Sequence, residues 1–188
     1  MISTLYHMGD RVNIYIALFR GINVGGKNIL PMKELAEILE TMGYKNVRTY
    51  IQSGNVVFES SKKIETKDTV DISKEIFRKK GFEPKVLLLS VEQLQDAIKK
   101  NPFPTGNGKV LHYFFLESHP GQPNIERLES LKLESEKFKL NLKVFYLYAP
   151  EGIGRSKLAA AVEKSIGVPV TTRNWNTVNK LAPMVEKA

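Results

Sequence analysis

The chain has no cysteine among its 188 residues. That absence removes disulfides, thiolate zinc sites and thiol nucleophiles together, and it leaves a reducing cytosol as the default compartment. Histidine is scarce as well. His7, His112 and His119 show no ligand spacing, and no carboxylates cluster beside them, so no metal site is expected. No apolar run approaches the roughly 20 residues that span a bilayer, which argues against a membrane partner. Met1–Arg11 lacks the apolar centre of a signal peptide and reads as a loose leader. A Gly-x-Ser-x-Gly elbow is missing too, so nothing points to an activated serine. The sequence names no catalytic residue and no cofactor.

What remains is ordinary globular composition, 26% charged and 42% hydrophobic, with enough apolar residues for a sizeable core. Lys and Arg number 28 against 20 Asp and Glu, a formal charge of +8 that favours anionic partners. Lys62, Lys63, Arg78, Lys79, Lys80, Lys99 and Lys100 fall at element ends, not in one stripe. The charge alone therefore does not establish nucleic-acid binding.

Asn13–Phe19 is an apolar, aromatic run that stops at Arg20-Gly21 and reads as a strand. Pro31–Met42 carries apolar residues at helical spacing, with Pro31 opening it and Gly43 closing it. Val47–Ile51 and Asn55–Glu59 read as strands joined through Gln52-Ser53-Gly54, a hairpin signal. Thr66–Lys80 reads as a helix with Val70, Ile72, Ile76 and Phe77 inward, and Lys85–Ser90 as a strand. This βαββαβ order is the split βαβ of the ferredoxin-like fold. After a helix at Val91–Lys100 and a Pro/Gly-rich turn region, the order is expected to repeat. Strands fall at Val110–Leu116, Lys137–Leu140, Leu142–Tyr148 and Val168–Thr172, helices at Pro123–Leu131 and Arg155–Ile166, with a final helix at Trp175–Lys187. The expected fold is α+β: two tandem ferredoxin-like halves packed into one compact unit, with an extra C-terminal helix. The corresponding segments are 1–11 (leader), 12–90 (first half), 91–109 (connecting helix and linker) and 110–188 (second half). Several strands are apolar on both faces and must be covered on both.

This connectivity makes the first two strands parallel with the third between them. The loop after the first strand and the hairpin after the second therefore leave the same edge, so Arg20–Asn28 and Gln52–Asn55 should be neighbours. In the second half the loops after the third and fourth strands do the same, which should gather Arg155, Ser156, Lys157, Arg173 and Asn176. Helices are expected to begin at Ser156 and near Trp175, and helix N-termini attract anions. If the halves pack with these edges adjacent, one polar cleft rich in cations results.

Arg20-Gly-Ile-Asn-Val-Gly-Gly26, Thr49-Tyr-Ile-Gln-Ser-Gly-Asn-Val-Val-Phe58, Asn101-Pro-Phe103 and Thr172-Arg-Asn-Trp-Asn-Thr-Val178 together resemble the DUF1697 family of uncharacterised bacterial proteins. The resemblance covers nearly the whole chain. It implies a small cytosolic α+β protein with these polar motifs as its signature, and no established activity, cofactor or substrate.

Gly21-Ile-Asn-Val-Gly-Gly26-Lys27-Asn28 comes close to a phosphate-binding P-loop. Asn28, however, stands where Ser or Thr would hold Mg²⁺, and the helix starts too late. A Gly-rich anion nest of another geometry and a tight turn needing positive φ are the two remaining readings. An RNA-recognition reading meets Asn55 and Val57 where third-strand aromatics are required for base stacking. Trp175 shares a helical stripe with Val178, Leu181, Ala182 and Val185 and is assigned to the core. Asn174 and Ser156 are the right residue types for helix caps. His112 lies on a strand face with Val110, Phe114 and Leu116 and is expected to be buried and satisfied.

The leading expectation is a cytosolic protein that binds an anionic small molecule, phosphorylated or carboxylated, with a nucleotide as one candidate. Arg20, Asn23, Gly25, Gly26 and Lys27 would contact the anion, and Ser53 and Asn55 would orient it. Arg155, Ser156, Lys157, Arg173 and Asn176 would complete the site. A nucleic-acid binder and a ligand-free protein-interaction module are the alternatives.

Overall fold

The computed structural model describes residues 12–186; the expected leader, 1–11, lies outside them. The first half comprises β1 (Asn13–Arg20), α1 (Met32–Thr41), β2 (Lys45–Tyr50), β3 (Asn55–Ser60), α2 (Thr66–Lys80) and β4 (Lys85–Ser90). Helix α3 (Val91–Lys99) leads out of it. The second half follows as β5 (Leu111–Leu116), α4 (Ile125–Leu131), β6 (Lys137–Asn141), β7 (Val144–Tyr148), α5 (Lys157–Ile166) and β8 (Val170–Asn174), and α6 (Trp175–Glu186) comes last. The protein is mixed α+β, with two four-stranded antiparallel sheets of order β2-β3-β1-β4 and β6-β7-β5-β8.

Local chemistry sets the element ends. The Ser90 hydroxyl accepts from the Gln93 amide while the Gln93 side chain accepts from the Ser90 amide, so α3 opens with a reciprocal cap. Ser156 caps α5 through the Ala159 amide, and Asn174 caps α6 through Thr177, as their residue types foretold. Gly167, at φ +81°, stops α5 with a left-handed residue. This stop and the following Pro169 delay β8 to Val170, two residues later than expected. The shift matters because it draws Arg173 out of a loop and into a strand.

The apolar side chains sort into three layers. Ala17, Phe19, Val56 and Phe58 pack under α1 and α2 with Leu35, Leu39, Ile72 and Ile76. Phe114, Phe145 and Leu147 pack under α4 and α5 with Leu128, Leu158 and Val162. Between the sheets, Ile16, Leu18, Val57 and Leu89 of one meet Leu111, Tyr113, Phe115 and Tyr146 of the other, with α3 and α6 at the sides. Strands that are apolar on both faces are thus covered on both. A large buried side chain contributes about 1.5–3 kcal/mol, so the shared middle layer adds substantially to holding the halves together. Trp175 belongs to that layer, stacked on Tyr113 at 6.0 Å.

Helix α2 departs from expectation. Its inward stripe is Ile72, Ser73 and Ile76, while Val70 and Phe77 are 44% and 54% exposed. A stripe of i, i+1 and i+4 suffices to seat the helix, and Val70 and Phe77 lie on its flanks.

Candidate functional site

The glycine loop after β1 is a miniature hairpin. Val24 bridges Lys27 across Gly25-Gly26, whose φ values of +56° and +74° define a two-residue turn of the primed kind. The Lys27 amide donates to the Val24 carbonyl and the Asn23 amide to the Asn28 carbonyl. Of the two readings left open by the sequence, the tight turn accounts for these glycines, since two of the amides that would line a nest are already bonded within it. Asn23 (φ +53°) fixes the loop to its neighbours: its side chain donates to the Leu30 and Gln52 carbonyls and accepts from the Leu30 amide. Asn28 donates back to the Gly21 carbonyl. Gly25, Gly26 and Lys27 are exposed at the tip.

Loop and hairpin are neighbours, as the connectivity requires. The Phe19 amide donates to the Gly54 carbonyl at 2.8 Å. A Cβ on Gly54 would sit 2.6 Å from both Phe19 Cβ and Ile22 Cδ1, and its φ is +70°, so only glycine fits. Asn55 is fully buried and turned inward, donating to the Tyr50 carbonyl and Ser53 Oγ. Its side chain is spent on ordering the hairpin.

Arg173 is the centre of the arrangement. It is 9% exposed and reaches from β8 across to the first half. Nη2 donates to the carbonyls of Phe19 (2.7 Å), Ser53 (2.9 Å) and Gly54 (3.3 Å), Nη1 to Thr172 (2.8 Å), and Nε to Asn55 Oδ1. Each of these partners is a carbonyl oxygen, and none is a carboxylate. Burial pushes the guanidinium pKa down to about 10, which still leaves it charged at neutral pH. A buried charge held by dipoles alone keeps its field.

Arg20 stands nearby at 38% side-chain exposure. It pairs with both carboxylate oxygens of Glu163 on α5, and its Nη1 also donates to the Val170 carbonyl at 2.6 Å. Burial acts to raise the Glu163 pKa. Hydrogen bonds from Arg20 and the Val170 amide, with the charges of Arg20 and Lys85, outweigh it and hold the carboxyl below its usual value.

The second-half cluster does not assemble as expected. Arg173 lies on the sheet face opposite α5 and is committed to the first half. Ser156 is 4% exposed and engaged as a cap. Arg155 and Lys157 are exposed, and neither lines the groove that Arg20 and Arg173 share. Asn176 lies against the linker instead, its Oδ1 only 2.0 Å from where a Gly108 Cβ would be.

What the junction does form is a groove of about 400 Å³. Ile22, Val24, Phe114, Ala159 and Ala160 give it apolar walls, while Arg20, Ser53, Glu163, Thr172 and Arg173 supply the polar groups. Ala159, Ala160 and Glu163 were not foreseen. The available signal was a helical face of small residues interrupted by one acid. His112 is buried at 6% exposure, as expected, and is half satisfied: its ring bonds the Lys109 backbone, while Nε2 has no partner among the described residues. Desolvation lowers its pKa.

A family model described as "Protein of unknown function (DUF1697)" matches residues 12–146, and the chain belongs to that family. Among solved structures it is similar to the conserved bacterial protein SP0830 from Streptococcus pneumoniae. Identity is 28% and the TM-score 0.64, with 93% of this chain and 99% of that chain covered. No curated protein matches. Among the described residues, no helix is long and apolar enough to cross a membrane.

Proposed function

We propose that the protein is a cytoplasmic binder of a small organic anion, and that the site is the groove between its halves, each read as a ferredoxin-like unit. The observation that carries this is Arg173, a buried guanidinium on the groove wall with no carboxylate partner among the described residues. Arg20 and Glu163 offset each other, so the groove carries a net charge of about +1, unscreened by water on the buried side. Volumes near 400 Å³ suit small ligands, and apolar walls with a few convergent polar groups suit a molecule with an apolar body and an acidic head. The head would use the donors that Arg20 has left over and the hydroxyls of Ser53 and Thr172. Arg173 acts through its field and not by contact. Gly25, Gly26, Lys27, Arg155 and Lys157 form no part of this reading, and no residue in it is assigned as a general base.

The test is thermal unfolding against inorganic phosphate, nucleoside monophosphates, sugar phosphates, aryl carboxylates and short RNA, at low and moderate salt. A ligand at about 100 times its Kd stabilises by roughly 2.7 kcal/mol. The expected result is a shift with one small anion that is lost in Arg20→Ala and enlarged in Glu163→Gln, which removes the competing carboxylate. A shift with RNA alone, only at low salt, would transfer the site to the dispersed surface charge.

A second reading has one specific observation behind it. Ile51 is β-branched, 50% exposed and held at φ +49°, a conformation that costs such a residue about 1–3 kcal/mol. It stands on the hairpin that Asn23 ties to the glycine loop, whose Val24 and Ile29 are 66% and 54% exposed. An apolar tip kept despite strain is what a protein-contact surface looks like.

A further inference from the structure

Sheet edges invite pairing by other chains and are normally blocked. Of the four edges here, β2 is broken by a register shift between Lys45 and Arg48 with Asn46 at φ +48°. β6 is five residues long and carries exposed Lys137 and Lys139. β8 is closed by side chains. The Leu116 amide bonds toward β7, so alternation turns Val170 and Thr172 outward. There the Val170 carbonyl takes Arg20, the Val170 amide meets Glu163 at 3.4 Å, and the Thr172 carbonyl takes Arg173.

Among the described residues, β4 has none of these devices. It is a six-residue strand, Lys-Val-Leu-Leu-Leu-Ser, in unbroken register with β1. Since the Phe19 amide bonds toward β3, Leu18 and Ile16 bond β4 through Leu87 and Leu89, and the N–H and C=O of Val86 and Leu88 turn outward. The ends are capped: the Pro84 carbonyl takes the Ser73 hydroxyl and the Ser90 amide takes Gln93. Those four central groups face a groove of about 720 Å³.

We propose that this edge accepts an extended, largely uncharged polypeptide segment of a partner protein as a fifth strand. The walls select that occupant. Thr66, Thr69 and Val70 of α2 rise on one side, and Glu117 and Lys143 of the second half stand on the other. A second copy's β4 is recessed in the same way, so two such edges cannot meet, whereas a bare extended chain enters. Lys63, Lys85 and Lys143 are balanced around the rim by Glu65, Glu83 and Glu117, which gives a charged segment no advantage. On the α2 side the added strand would set apolar side chains against exposed Val70 and partly buried Leu88, while main-chain bonds supply the affinity.

The test uses displayed random eight-residue peptides selected on the full chain, with amide exchange read at Val86 and Leu88. Selected peptides are expected to slow exchange at both amides. They should lose at least tenfold in affinity on Val70→Glu, and likewise when alternate peptide amides are N-methylated. Leu88→Pro removes one outward amide and should abolish binding. Because a proline there also perturbs the strand itself, Val70→Glu, a change at an exposed position, stands as the independent check. Failure to select any peptide would overturn the proposal, as would peptides that bind and leave the two amides unprotected. Protection that grows with protein concentration without peptide would overturn it in favour of a second copy.

Discussion

The outer edges of the two sheets that matter most, β8 and β4, are treated in opposite ways. β8 is five residues with a threonine pair and an arginine, and side chains from both halves occupy its outward backbone groups. β4 is longer and more apolar, and among the described residues its central outward groups meet only the groove. Arg20 and Arg173, the cations the sequence offers most prominently as ligand contacts, are therefore structural first: Arg20 closes the edge of the other half's sheet, and Arg173 ties its own strand to the β1 end and hairpin of the first half. Any ligand chemistry in the junction is built on top of that structural task.

The comparison breaks most visibly at Arg173. In Arg173→Met the carbonyls of Phe19, Ser53 and Thr172 lose a donor at the buried end of β8. We expect a loss of about 3–5 kcal/mol, on the order of 10 °C in Tm for a chain of this size. Arg173→Lys should recover only part of it, because one ammonium cannot span five oxygens. Calorimetry checks both, and a loss below about 1 kcal/mol in Arg173→Met would mean that the junction is held by its apolar layer alone.

Next in size is Gly54→Ala. A methyl at φ +70° would enter 2.6 Å from Phe19 and Ile22, so strain and overpacking add to about 2–4 kcal/mol. The damage falls on the hairpin that feeds two carbonyls to Arg173. A double-mutant cycle with Arg173→Met should therefore be non-additive by more than about 0.5 kcal/mol, and strict additivity would separate hairpin from clamp.

The strand and helix order was readable because many of the apolar runs here, β1, α1, α2 and α5 among them, end on or next to glycine, and the joining of the β1 loop to the hairpin followed from connectivity. Arg173 was not readable as a clamp for a physical reason. Two residues of error at the start of β8 place it in a loop, where a cation looks free, and only the register with β5 shows which face its side chain takes. The same limit hid Glu163, whose partner lies 143 positions away. For Val70 and Phe77 the helical period was right and the width of the buried stripe was overdrawn.

The smallest effect is the most discriminating. Arg20 and Glu163 are 38% and 44% exposed, so their pair contributes less than about 1 kcal/mol. It nevertheless leaves a signature in pH. The folded pKa of Glu163 is depressed, so its contribution is complete above the unfolded value of about 4.3 and is lost as pH falls through the folded value below that. Wild type and Glu163→Gln should therefore converge in Tm as pH is lowered through this window and stay separated by a constant amount above pH 5. Acid effects elsewhere act on both and cancel in the difference. Parallel curves throughout would leave the closing of β8 to Arg173 and leave Arg20 free for a ligand, whereas convergence means that an incoming anion must displace Glu163 to gain it.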